Sequence, residues 1–183
     1  MSWILLRSGT RFELGRPLPS MIHIEDIAYS LSLTNRFCGH TNRPYSVAEH
    51  SLLVAEILER NFGISDPLCL HAALLHDAHE AYIGDISTPL KRYLGEGFHA
   101  MERSIAHAVE MRFLISGTVR ANRALIKRAD LIALATERRD LMPEHSDAWG
   151  VIDGIDGLSG GVFAAIFASY ALIARSEERR VGK

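Results

Sequence analysis

The chain has 183 residues, 48% of them apolar and 23% charged, with a formal net charge of -2. That length suits one domain with a sizeable buried core, and the charge excludes a protein built to hold long nucleic acids. Any phosphate binding has to come from a local cluster of Arg and Lys.

Two cysteines, Cys38 and Cys69, stand far apart and form no CxxC pair. This argues against a disulfide framework or thiolate zinc site and suits a reducing compartment. The start, Met1-Ser2-Trp3-Ile4, lacks the basic region and long apolar run of a signal peptide. Charges or His interrupt every apolar run before it reaches spanning length. A soluble, cytoplasmic protein without membrane contact is expected.

Residues 3–14 hold two short apolar runs around Ser8-Gly9-Thr10, a pattern for a small β-hairpin that Gly15, Pro17 and Pro19 end. Everything after reads helical, so the predicted fold is all-α, a compact bundle of six or seven helices. Ile24, Ile27, Ala28 and Leu31 give helical spacing over 24–34. A loop follows through Asn35-Arg36-Phe37-Cys38-Gly39-His40 to Pro44. Ser46 with Glu49 three residues on makes a capping box for a helix running to about Asn61. Asp66-Pro67 opens a third helix, predicted to continue through LCLHAALLHDAHEAYI to Gly84. A loop over 85–95 carries a short helical piece at 91–93. Further helices are predicted over 97–115, 120–141 and 159–175, with a Gly- and Asp-rich loop at 143–158. Residues 1–175 are read as one domain and 176–183 as a frayed tail.

The densest polar cluster in apolar surroundings is His76-Asp77-Ala78-His79-Glu80, directly after Ala72-Ala73-Leu74-Leu75. Charge placed there costs several kcal/mol unless compensated, and a divalent cation would compensate it. On a continuous helix His76 and Glu80 share one face, with Asp77 one step round. An adjacent His-Asp pair alone is more often a core hydrogen bond than a metal site. Two further residues change that weighting. His50 lies mid-helix in VAEHSLLVAEIL, and Asp130 lies in LIKRADLIALAT. Two imidazoles and two carboxylates from separate helices form a mixed set suited to a first-row transition ion with open positions for water and phosphate oxygen.

With these residues in place the sequence resembles the HD superfamily of metal-dependent phosphohydrolases, whose pattern is His…His-Asp…Asp. More narrowly it looks like the bacterial 5'-deoxynucleotidases and phage dATP triphosphohydrolases. The matching segments are NRF at 35–37, SVAEHS at 46–51, HDAHEAYIGDISTPLK at 76–91 and KRAD at 127–130. The resemblance implies an HD-type helical fold in which His50, His76, Asp77 and Asp130 bind one divalent ion (Zn, Co, Mn or Fe). Additional Mg would accompany a triphosphate substrate. It also implies that Glu80, with Asp77, serves catalysis by orienting or deprotonating the attacking water. Asp85 would read the sugar 3'-hydroxyl, and Arg36, Lys91 and Lys127 would bind phosphate. Phe37 stands where the family has an aromatic, often Trp, near the nucleoside. For Lys91 and Lys127 the plain alternative is solvated surface.

The implied activity is hydrolysis of a (deoxy)nucleotide phosphate, water activated by the ion attacking phosphorus. Two lysines in matching positions lean toward a dNTP triphosphohydrolase releasing triphosphate; the alternative is a 5'-deoxynucleotidase releasing phosphate from dNMPs. Rival classes are an HD phosphodiesterase or alarmone hydrolase, and a non-catalytic nucleotide-binding regulator. The partner is a small nucleotide, and the resemblance implies a homo-oligomer, at least a dimer. His79 is read as supporting or surface and His40 as a loop residue that could touch substrate. His71, His99, His107 and His145 have no partner pattern. Glu137-Arg138-Arg139-Asp140 is read as a solvated helix face, and Trp3 and Trp149 as packing residues.

Overall fold

The structure, a computed structural model, describes residues 3–159. The helix predicted over 159–175 and the tail at 176–183 lie outside the described residues but for position 159. Among the described residues there are seven α-helices and one two-stranded sheet. Strands β1 (Trp3–Leu5) and β2 (Arg11–Glu13) pair antiparallel, with Ile4 opposite Phe12, so the expected hairpin is present. Ser8 docks it on the first helix, its amide and hydroxyl both donating to the Asp26 carboxylate. Phe12 is fully buried and its ring stacks on Tyr82 with centroids 4.1 Å apart. Trp3 does not pack into the core; it is exposed under the Arg11 guanidinium.

Helix α1 (Ile24–Leu33) buries Ile27 and Leu31 of the predicted stripe, while Ile24 and Ala28 are exposed. Helix α2 (Val47–Glu56) starts on the capping box: the Glu49 amide donates to Ser46 Oγ, and the Ser46 amide donates to Glu49 Oε2 at 2.8 Å. It loosens into a π-turn over Ile57–Asn61. The loop before α2 is closed on itself, with the Arg36 amide donating to the Tyr45 carbonyl and the Val47 amide to the Thr34 carbonyl. Side chain and amide of Asn42 then tie this loop to the last turn of the longest helix, at the Asp140 and Leu141 carbonyls.

The third predicted helix is broken. Helix α3 (Pro67–Leu74) stops eight residues in, and a short α4 (Glu80–Ile83) resumes after a run of tight turns. His76 Nδ1 takes the Ala73 carbonyl at 2.8 Å, the acceptor an α-helix would assign to the Asp77 amide. From there the amides of Ala78, Glu80, Ala81 and Tyr82 each bond the carbonyl three residues back. At three residues per turn, positions three apart align. Asp77 and Glu80 therefore share a face, and the pairing of His76 with Glu80 expected from a four-residue step is lost.

Helices α5 (Thr88–Leu94), α6 (Glu96–Arg112) and α7 (Ser116–Leu141) complete the described bundle, and α2, α3 and α7 pack around one core. Helix α6 begins one residue before its predicted start and α7 four residues before. The 143–158 loop holds one 3-10 turn at Gly150–Ile152 and returns to α7, where the Leu158 amide donates to Thr136 Oγ1. No helix among the described residues is long and apolar enough to cross a membrane.

The capping box sets where α2 begins and so the height of His50 one turn later. Ser46→Ala is expected to lower stability by about 1 kcal/mol, a drop of several degrees in Tm by thermal unfolding. An unchanged Tm would show that tertiary packing alone fixes the start of the helix.

Candidate metal centre

Three segments bring the four predicted ligands together. His50 comes from α2, His76 and Asp77 from the tight turns after α3, and Asp130 from α7. His50 Nε2 lies 3.3 Å from His76 Nε2, 3.2 Å from Asp130 Oδ1 and 3.6 Å from Asp77 Oδ2. His76 Nε2 lies 3.1 Å from Asp77 Oδ2. An ion about 2.1 Å from each donor holds neighbouring donors roughly 3.0–3.4 Å apart. The spacings of 3.1–3.3 Å match such a shell, and the 3.6 Å from His50 to Asp77 is slightly wider. His50, His76 and Asp130 form one group of donors within 4.8 Å of one another, and Asp77 forms a second with His79 and Glu80.

The chemistry of the donors fits a cation as well as the distances do. His50 Nδ1 donates to Glu137 Oε1 at 2.6 Å, and His76 Nδ1 donates to the Ala73 carbonyl. Nδ1 of each ring is thereby engaged, so that Nε2 is the nitrogen turned to the cluster and available to an ion, the arrangement metal-ligating imidazoles use. His50 has no solvent exposure. Burial and Arg36 oppose a proton on it, yet Glu137 and Asp130 outweigh them and raise its pKa to about 9. Burial likewise opposes ionisation of Asp77 and Asp130, and the surrounding imidazoles hold both well below the usual carboxylate range. Such surroundings favour a positive charge among the four donors.

Glu137 is the site residue that the sequence reading missed. The expected solvated face holds at Arg139 but fails at Glu137, which is fully buried. Its Oε1 accepts from His50 Nδ1 and from the Tyr45 hydroxyl at 2.9 Å, and its Oε2 accepts from Arg36 Nε and Nη2 at 3.2 and 3.1 Å. Burial raises its pKa, but His50 and Arg36 prevail and bring it to about 2. The signal was present in α7: Ile126, Asp130, Ala133 and Glu137 follow steps of four, three and four, so Glu137 lies two turns beyond Asp130 on the inward stripe.

The substrate residues expected from the resemblance fall into two groups. Glu80 is buried beside Asp77, and its Oε2 has no hydrogen-bond partner among the described residues. Burial, Asp77 and Asp85 push its pKa up to about 9. Asp85 follows Gly84, whose φ of 80° ends α4 and turns the chain, and Asp85 is half-buried near Arg36 and Lys91. Lys91 stands 3.9 Å from Glu80 Oε1 and donates to Glu102 Oε1 at 2.5 Å.

The other residues are spoken for or peripheral. Arg36 is buried on Glu137, with Nη1 3.8 Å from Asp77 Oδ2. Lys127 is mostly exposed and donates to Asp130 Oδ2 at 2.7 Å, leaving Oδ1 to face the cluster. Phe37 and Cys38 both adopt left-handed backbone, at φ 53° and 52°, a strain of about 1–2 kcal/mol per residue. Phe37 faces Trp149 at 6.0 Å between centroids, while His40 is exposed. His79 is buried rather than at the surface, its Nε2 3.3 Å from Glu102 Oε1.

A neutral Glu137→Gln keeps the shape and removes the charge that locks His50. Affinity for zinc or cobalt is expected to fall about 10- to 100-fold in a competition titration. Because the pKa of Glu137 is lowered from 4.5 to about 2 on folding, its stabilisation is complete above pH 4.5 and is lost as pH falls toward 2. The variant should therefore show a flatter stability profile over that window in chemical denaturation. Equal metal affinity and an unchanged profile would remove Glu137 from the site.

The HD domain family model matches residues 32–120, a span with His50, His76, Asp77, Glu80, Asp85 and Lys91 but short of Asp130 and Glu137. The uncharacterized protein YfdR of Escherichia coli is 39% identical over 155 residues, covering 85% of this chain and 81% of the relative. An uncharacterized protein of Rhodobacter capsulatus is 40% identical over 144 residues, covering 76% of this chain and 73% of the relative. Asp130, beyond the matched span, reaches the cluster through the fold of α7 onto α2. With the family model matching over the motif and relatives about 40% identical over most of the chain, the chain belongs to the HD-domain family, whose members are generally metal-dependent hydrolases.

Proposed function

We propose that the protein hydrolyses the 5'-phosphate of a (deoxy)nucleotide, with a divalent ion held by His50, His76, Asp77 and Asp130. The observation that carries this reading is the convergence of four donors at 3.1–3.6 Å beside a buried, half-partnered Glu80. When bound, the ion would polarise the phosphoryl oxygen and make water a competent nucleophile near neutral pH. Glu80 Oε2, unpartnered and facing the same turn as Asp77, accepts the proton of the attacking water and returns one to the leaving oxygen. Its upward-shifted pKa suits both halves of that transfer once a cation nearby draws it back toward neutrality. Asp85 accepts from a sugar hydroxyl, and Phe37 supplies an apolar surface at the mouth of the site.

Between the two nucleotide classes, the ion pairs favour the monophosphate over the triphosphate that the lysines alone suggested. Arg36 is committed to Glu137, Lys91 to Glu102 and Lys127 to Asp130. Asp77, Glu80, Asp85, Glu102, Asp130 and Glu137 place six carboxylates against those three cations. A dianionic phosphate meets less repulsion there than a triphosphate with charge near about -4. Extra Mg bound to the substrate would be needed to relieve the difference.

Product analysis tests the reading. Metal-loaded protein is incubated with a panel of nucleoside mono- and triphosphates, with Asp77→Ala as control. Free phosphate from 5'-monophosphates is expected, reduced at least about a thousandfold in the variant. Release of intact triphosphate would overturn the monophosphate preference. No turnover with zinc, cobalt, manganese or magnesium would overturn the nucleotidase reading as a whole.

A further inference from the structure

Glu102 lies on α6, outside the four donors, and three basic groups converge on it. Lys91 Nζ from α5 donates to Oε1 at 2.5 Å, His79 Nε2 faces the same oxygen at 3.3 Å, and His99 Nδ1 faces Oε2 at 3.4 Å. The hydrogen bond from His79 outweighs partial burial and, with Lys91, holds the Glu102 carboxyl down to about 2, so it is ionised throughout the physiological range.

Lys91 also faces the centre itself. Glu80 Oε1 stands 3.9 Å from its ammonium, and Asp77 acts on it as well. Glu102, at hydrogen-bond distance, takes up the charge and the hydrogen bond that Lys91 would otherwise offer to a phosphate oxygen. A site built for a chain of phosphates would leave such a lysine unopposed, since each added phosphate brings charge that needs a donor.

We propose that Glu102 is a specificity-determining residue that, by engaging Lys91 and His79, makes the site select phosphate monoesters over polyphosphates. It acts through Lys91, as a positioning residue, and takes no part in bond breaking. The inference rests on the reading above that a phosphate anion binds beside the four donors.

Binding of inorganic anions separates the two ideas, because it needs no turnover. Orthophosphate and tripolyphosphate are titrated into the metal-loaded protein by calorimetry, with the divalent ion kept in excess of the polyphosphate. Glu102→Gln is expected to tighten tripolyphosphate about tenfold more than orthophosphate, while Glu102→Asp keeps the wild-type ratio. An equal change for both anions, or none, in a variant with normal thermal unfolding would overturn the inference. Should Gln at 102 prevent folding, Lys91→Gln takes its place. Leaving Glu102 bare, it must weaken tripolyphosphate more than orthophosphate, and equal weakening overturns the inference. A protein that turns over no nucleotide yet shows the altered ratio would contradict the nucleotidase reading and leave the role of Glu102 standing.

Discussion

Glu137 carries its charge at a point with no access to solvent, and the surrounding architecture is organised by that fact. Burying a carboxylate costs several kcal/mol unless donors replace its hydration. Here four donors do so: Arg36 through two nitrogens, Tyr45 through its hydroxyl and His50 through Nδ1. Each commitment has a structural consequence. Arg36 pins the start of the loop whose next two residues are forced into left-handed backbone. Tyr45 fixes the approach of the chain to the cap of α2. His50, engaged through Nδ1, is left with Nε2 aimed at His76, Asp77 and Asp130. The negative charge of one buried residue thus orders the loop, the helix start and the first ligand together.

The second organising feature is the tight turn that replaces the middle of the expected third helix. Because His76 Nδ1 captures the Ala73 carbonyl, the following residues wind at three per turn. This puts His76 on the imidazole side of the centre and stacks Asp77 with Glu80 on the other. The winding of five residues thus sets the proposed ligand His76 apart from Glu80, the proposed acid–base group. Around them the cations arrive paired, Arg36 inside the protein, Lys127 at the rim, and Lys91 between Glu80 and Glu102. On the function proposed here, a centre with so few uncommitted positive charges would depend on a bound divalent ion for attraction of phosphate.

The candidate ligands and most helices were legible because each rests on a local signal. His50 and Asp130 stood out as polar residues on apolar stripes, and Ser46 with Glu49 announced the start of α2. The break after Leu74 was not legible, since AALLHDAHEAYI has good helical spacing and the competing bond comes from a His side chain. Glu137 was hidden by its neighbours: Arg138, Arg139 and Asp140 make the segment read as solvated, and only the step from Asp130 places it inside. Glu102 carried little signal: His99 stands three residues before it on α6, but Lys91 and His79 reach it only when α5 and the tight turn pack on α6. Arg36 was read as free to bind phosphate because the acid that claims it lies 101 residues later.

The account turns on the four donors forming one cation centre locked from behind by Glu137. Cobalt titration of the metal-stripped protein, followed by visible absorption, tests this most directly. One ion per chain is expected, with proton release as His50 gives up its proton, and with binding weakened at least about a hundredfold by Asp130→Asn. Tight cobalt binding that Asp130→Asn leaves intact, or no binding at all, would contradict the centre described here.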